Sequence, residues 1–195
     1  MTEFFMEKGP PAKHGDDELV ALAQKGDSNA FEDLVERYKQ KAYRVAFDFT
    51  RDREEAKDLS QEAFLRAYTH LKGFNQRAGF YTWFYRILVN LCLDYRRRQA
   101  RASWKSYDET TDRADERNDQ TSSPDRAAMA DETSRRVEAA LSALPPKQRT
   151  AFLLRNHQGL SIHEIAKIMQ TAEGTAKVHL HRAVMALRKS LAELI

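Results

Sequence analysis

Cysteine is almost missing from this sequence. Cys92 is the only one in 195 residues, which excludes an intramolecular disulfide framework and fits a reducing compartment. It sits in an apolar helical stretch, where a thiol serves as a small buried hydrophobe. Glycine and proline are scarce, at 7 and 5 residues, so the chain is neither low-complexity nor rich in turns. No stretch alternates apolar and polar residues as a half-buried strand does, and no apolar run approaches the length of a membrane span. The opening MTEFFMEKGPPAKHGDDE has neither an apolar core nor a cleavage pattern, so we expect a cytoplasmic protein without a signal peptide. There is no glycine loop to cradle a phosphate. His179 and His181 flank Leu180, but side chains at i and i+2 of a helix diverge and cannot readily share a metal. His157 and His163 lack companions at ligand spacing, and the cysteine lacks a nearby histidine. We therefore expect no enzyme, no metal and no cofactor.

Charge is plentiful, at 31% of residues against 42% hydrophobic, yet the formal balance is only +3. The basic residues are gathered in patches, and for nucleic-acid binding patches matter more than the total. Residues 1–15 read as a loose arm punctuated by Gly9, Pro10, Pro11 and Gly15. Asp16 and Ser28 are candidate caps for the first two helices. A third helix starts near Asp52, with Ala56, Leu59, Ala63, Ala67 and Leu71 as a slim apolar stripe and Asp58, Gln61, Glu62 and Arg66 on its wet side.

The stretch 74–98, FNQRAGFYTWFYRILVNLCLDYRRR, is a loop and a two-faced helix. Phe84, Ile87, Leu88, Leu91 and Tyr95 recur at core-facing helical spacing. Trp83, Arg86, Asn90 and Arg97 fall at i, i+3, i+7 and i+14 on the other side. The loop ahead supplies Phe74, Asn75, Gln76, Arg77 and Phe80. Aromatics and amides beside guanidinium groups suit the holding of unstacked bases along a phosphate chain. The same residues also fit a buried aromatic helix with a solvated basic end, which Arg96, Arg97 and Arg98 supply.

From Asp108 to Asp125 seven acids stand against two arginines, a local charge of −5. Such a segment reads as a flexible acidic linker over 102–130, although it can also lie against a basic surface. Periodicity then returns. One helix ends at Pro145–Pro146, the next starts at Pro146, and Ser161 caps a short helix containing Ile162, Ile165, Ala166 and Met169. A tight Gln170–Ala172 connection leads to a last helix with Ala176, Leu180, Ala183, Leu187 and Leu191 as its buried stripe. A short helix, compact turn and longer helix make a helix-turn-helix. Opposite the stripe lie Thr175, Lys177, Val178, His181 and Arg182, side chains able to meet phosphates, guanine edges and thymine methyls. The expected fold class is all-α: two small helical domains, 16–101 and 131–195, joined by the acidic linker.

These motifs in this order resemble the extracytoplasmic-function (ECF) sigma factors of the sigma-70 superfamily, two-domain bacterial subunits that give RNA polymerase its promoter specificity. DLSQEAFLRAY (58–68) is similar to the polymerase-binding helix, FYTWFYRILVNLCLDYRRR to the promoter-opening helix, and LSALPPKQRTAFLLR, LSIHEIAKIM and EGTAKVHLHRA to the DNA-binding domain. The resemblance implies that Asp58, Gln61, Glu62, Phe64 and Tyr68 dock on core polymerase. It implies that Phe74, Asn75, Gln76, Arg77, Phe80, Trp83, Arg86 and Asn90 capture a flipped base of the −10 element, with Arg96, Arg97 and Arg98 following the opened strand. Thr175, Lys177, Val178, His181 and Arg182 would read the −35 duplex. The acidic linker would thread the polymerase, and an anti-sigma factor, often a membrane protein, would hold the chain inactive. The sequence departs from many relatives at Lys177, Val178, His179 and Val184. Lysine offers a point charge where arginine offers a fork, so no relative's promoter carries over. The competing readings are a stand-alone helix-turn-helix regulator, a single-strand RNA binder and a pure protein adaptor.

Overall fold

The computed structural model describes residues 14–75, 79–107 and 124–192. Among them are eight α-helices: α1 (Asp16–Gln24), α2 (Ser28–Thr50), α3 (Arg53–His70), α4 (Phe80–Tyr107), α5 (Pro124–Ala143), α6 (Pro146–Asn156), α7 (Ile162–Ile168) and α8 (Glu173–Leu191), with a 3-10 turn over Leu71–Gly73. No strand occurs among the described residues. The all-α expectation holds. The helices reach into the 102–130 segment from both sides, α4 to Tyr107 and α5 from Pro124.

Local chemistry explains most helix ends, with two corrections. Asp16 does not cap α1. Gly15 takes the cap position without a side-chain bond, and the Asp16 carboxylate instead accepts from Arg37 and Tyr38 of α2. Ser28 does not cap α2 either; Asp27 does, accepting from the amides of Asn29 and Ala30. The sequence offers two adjacent cap formers, and the carboxylate takes the position. Asp52 caps α3 through the Glu55 amide. Pro146 stands in the first turn of α6, where its missing N–H costs nothing. Ser161 and Glu164 close a reciprocal capping box on α7, and the two bonds that Ser161 makes to the Glu164 carboxyl hold it below its usual range. Gly26 at φ +103 and Gly159 at φ +68 make the left-handed bends after α1 and α6.

The first four helices form one bundle. The slim α3 stripe packs on α2, with Ala56, Ala63 and Ala67 fully buried and Leu59 and Leu71 nearly so. Small residues let the two backbones approach closely. Phe80 and Phe84 of α4 fill the centre, with Phe84 stacked against Phe64 at 4.5 Å between centroids.

Helices α5–α8 form the second unit, and the two halves are in contact. The buried core is continuous from α4 into α6 and α7, so α4 buries Tyr85, Val89 and Cys92 in addition to the stripe expected from spacing. At the polar centre of this contact is Asp48, 9% exposed near the end of α2. Its carboxylate pairs with His157 Nδ1 at 2.7 Å and accepts from Gln158 at 3.4 Å. Its carbonyl accepts from Arg149 at 3.4 Å. Three side chains of the second unit thus converge on one residue of the first. Asp48→Ala removes two of these anchors, and we expect small-angle scattering to record a larger radius of gyration while far-UV circular dichroism stays helical. An unchanged radius would mean that apolar contacts alone hold the halves together.

Candidate functional site

Three exposed faces carry the residues singled out above. The first lies on α3. Asp58 and Gln61 are exposed, Glu62 is half-buried and ion-paired with Arg66 at 2.7 Å, and Tyr68 is 55% exposed with its ring edge-on to Phe31. Phe64 stands differently: it is half-buried and held by its stack on Phe84. The large apolar side chain that this face does offer is Leu65, 62% exposed. The sequence carried the signal, since Leu65 lies at i+4 from Gln61 and i−3 from Tyr68, but the family resemblance pointed to Phe64.

The second face surrounds the start of α4. The rings of Phe74 and Phe80, expected to meet a base, are in the core at 7% and 0% exposure. Phe74 stacks on Trp83 at 4.6 Å and 21°, and Phe80 packs between Tyr38 and Phe84. Burial of so much ring area outweighs its exposure in a short loop. Trp83 remains half-buried over this layer, and Asn75, Arg86 and Asn90 are exposed. Gln76 and Arg77 lie outside the described residues. Gln24 of α1 donates to the carbonyls of Leu71 and Phe74 at 2.8 and 2.7 Å, fixing the loop's start. Further along α4, Arg97 and Arg98 are exposed, the former paired with Asp94 at 2.5 Å. Arg96 turns inward, donating to the Phe49 carbonyl at 3.3 Å, and burial lowers its pKa.

The third face is the outer side of α8. Thr175, Lys177, Val178, His181 and Arg182 are all exposed, while Ala176 and Ala183 are fully buried and Leu187 nearly so. Val178 at 46% and Met185 at 51% are the exposed apolar groups here; Met185, at i+7 from Val178, extends the face by a turn beyond the residues picked from the sequence. Before α8, His163 bonds Glu173 at 2.8 Å across the turn, and Gln170 adopts φ +52.

The second and third faces touch. Gln170, with its amide oxygen toward α4, accepts from both terminal nitrogens of Arg86 at 3.0 and 3.2 Å. Tyr81, one turn before Tyr85, feels Glu164 of α7; burial first and that carboxylate second push its phenol up to about 12. Arg86 is therefore already engaged by the helix-turn-helix turn in this arrangement.

The chain is similar to known proteins over most of its length. The family Sigma-70 region 2 matches residues 34–102 and the family Sigma-70, region 4 matches residues 134–187. The RNA polymerase sigma-H factor of Pseudomonas aeruginosa is 36% identical over 184 residues, covering 92% of this chain and 95% of its own. The ECF RNA polymerase sigma factor SigW of Bacillus subtilis is 34% identical, covering 90% and 96%. Among solved structures, CnrH in complex with the cytosolic domain of CnrY has a similar fold, with a TM-score of 0.68 at 24% identity, 91% of this chain and 97% of that one. RpoE in complex with the anti-sigma factor NepR from Bartonella quintana gives 0.62 at 23% identity, covering 83% and 96%.

The contrast between Phe64 and Leu65 is measurable. Phe64→Ala should cost about 2 kcal/mol of stability, below the range of a fully buried phenylalanine because the ring is half-exposed. Leu65→Ala should change stability by less than ~0.5 kcal/mol. Denaturant unfolding of the two variants checks the pair, and equal losses would overturn the division.

Proposed function

The chain belongs to the extracytoplasmic-function branch of the sigma-70 family, and from that membership we propose that it binds core RNA polymerase, directs it to promoters through −35 and −10 elements and helps to open the start region. Sigma factors are initiation factors, and no chemistry of its own is needed for this role. Residues 16–101 act as the region 2 domain and 131–195 as the region 4 domain. Asp58, Gln61, Glu62, Leu65 and Tyr68 form the polymerase-facing side. Trp83, set over the Phe74–Phe80 layer, receives an unstacked base with Arg86 and Asn90 further along α4; holding it offsets the few kcal/mol lost on flipping. Arg97 and Arg98 follow the strand. Lys177, Val178, His181 and Arg182 enter the major groove. An anti-sigma factor is the expected antagonist.

One observation carries this reading over a stand-alone helix-turn-helix regulator: the exposed Asp58–Gln61–Leu65–Tyr68 face of α3. A regulator that binds duplex DNA as a symmetric dimer has no use for a second, acidic and apolar helix face far from its reading helix. Among the described residues no helix is long and apolar enough to cross a membrane.

The deciding experiment mixes the full chain with sigma-free bacterial core polymerase and follows co-elution and transcript start sites on genomic fragments. We expect co-elution and a small set of defined starts, with Asp58→Ala/Gln61→Ala weakening co-elution at unchanged melting temperature. Duplex binding without co-elution would favour the stand-alone regulator. On promoter DNA in the holoenzyme, Lys177→Ala and Arg182→Ala should each lower the slope of log K against log salt by about 1 if they contact phosphates. An unchanged slope with altered sequence preference would make them base readers.

A further inference from the structure

Between the two halves lies a cleft of about 480 Å³ whose apolar walls and innermost cation, Arg149, have no part in the proposed sigma activity. Phe49 of α2, Leu93 of α4 and Leu144 before α6 give it apolar walls, and Arg96, Arg97, Lys147 and Arg149 bring four cations to it. The volume falls within the range typical of small-molecule sites. An apolar lining with a few convergent charged groups is the usual composition of such sites.

Arg149 is the informative residue. Its side chain is 3% exposed, yet its Nε has no acceptor within the protein among the described residues. Its two terminal nitrogens reach Ser142 Oγ and the Asp48 carbonyl at 3.4 Å each, long for bonds from a charged donor, which favour 2.7–2.9 Å. Burial, and then the like charges of Arg96 and Arg51, push its pKa down to about 10, with Glu138 and Asp48 acting the other way without offsetting the shift. The Asp48 carboxylate is already engaged by His157 at 2.7 Å and Arg51 at 3.9 Å. A buried guanidinium short of acceptors is costly, and it lines an open cleft.

We propose that this inter-domain cleft binds a small amphipathic anion, its oxyanion head on Arg149 and Arg96 with Lys147 at the mouth and its apolar body against Phe49, Leu93 and Leu144. A guanidinium edge is matched to an oxyanion, and the walls remove an alkyl or ring body from water at about 25 cal/mol per Å². Such a ligand bridges α2 and α4 on one side and α6 on the other, so it binds the packed arrangement and shifts the population toward it. It also occupies Arg97, which the opened strand would follow. That last consequence rests on the sigma reading; the binding itself does not.

The test uses decanoate as the probe, with acetate for the head alone and decanol for the body alone, in isothermal calorimetry with the full chain. We expect saturable one-to-one binding of decanoate at least tenfold tighter than either fragment. Arg149→Met should weaken it tenfold or more. Because a change at so buried a position can disturb folding, Lys147→Gln at the exposed mouth and Leu93→Trp inside the cleft are independent variants, expected to lower affinity several-fold at unchanged helicity. Equal affinity for decanol would reduce the site to apolar partition and overturn the proposal. So would indifference to all three variants. Binding that emerges only after the acids of 108–119 are changed to amides would mean that the chain's own acidic segment fills the cleft, which also overturns it. Finally, saturating decanoate should reduce co-elution with core polymerase in the wild type but not in Leu93→Trp. Intact decanoate binding with unchanged co-elution would refute the coupling alone, whereas absent co-elution without any ligand would refute the sigma reading instead.

Discussion

A single buried carboxylate organises how the two halves of this molecule meet. Asp48 occupies the last turn of α2, where the chain's own needs would be served by any apolar residue. It is ionisable and largely buried, and such a group persists only when partners replace its water. Those partners, His157 and Gln158, come from the far end of α6, more than a hundred residues along the chain. Its backbone carbonyl takes Arg149 from the start of the same helix. Helix α6 is thereby fixed at both ends against one turn of α2. The positions of α7, α8 and the cleft follow from that placement, because α6 packs directly on α8 and on α7.

The individual helices were legible because their signals are local. The Ala56–Leu71 stripe, the Ser161 cap and the Pro146 start each depend on a few neighbouring residues, and each stands as spacing and capping chemistry require. The outward side of α8 was legible for the same reason: once Ala176 and Ala183 face inward, Lys177, Val178, His181 and Arg182 must face out. Of the two cap reassignments, the one on α1 arises because distant Arg37 and Tyr38 claim the Asp16 carboxylate, and the one on α2 because adjacent Asp27 and Ser28 compete for one position.

What was not legible depends on non-local contact. Spacing along α4 gives one apolar stripe, but the helix is sandwiched between two units, and Tyr85, Val89 and Cys92 are buried for that reason. Phe74 and Phe80 looked like exposed stacking rings because their composition matched a base-binding loop; in the fold they are layers beneath Trp83. Leu65 and Met185 are the converse case, apolar residues left outside. Pattern alone reads an apolar side chain as core, and only the completed packing separates a core ring from a docking one.

The contact between the halves is imperfectly satisfied. It includes groups that a permanent interface would have satisfied: the Arg149 guanidinium with two long bonds and one empty nitrogen, and a fully buried Tyr85 hydroxyl without a partner beside the Tyr81–Glu164 contact. Each unsatisfied buried polar group forfeits about 1–3 kcal/mol that water would return on opening. Against this stand the His157–Asp48 pair and a modest apolar seam. The balance is closer to that of a transient interface than of a single-domain core. If Arg86 meets DNA as proposed, it has to leave Gln170, and a fully satisfied interface would oppose that release. Imperfect hydrogen bonding in the contact thus lowers the cost of parting the halves.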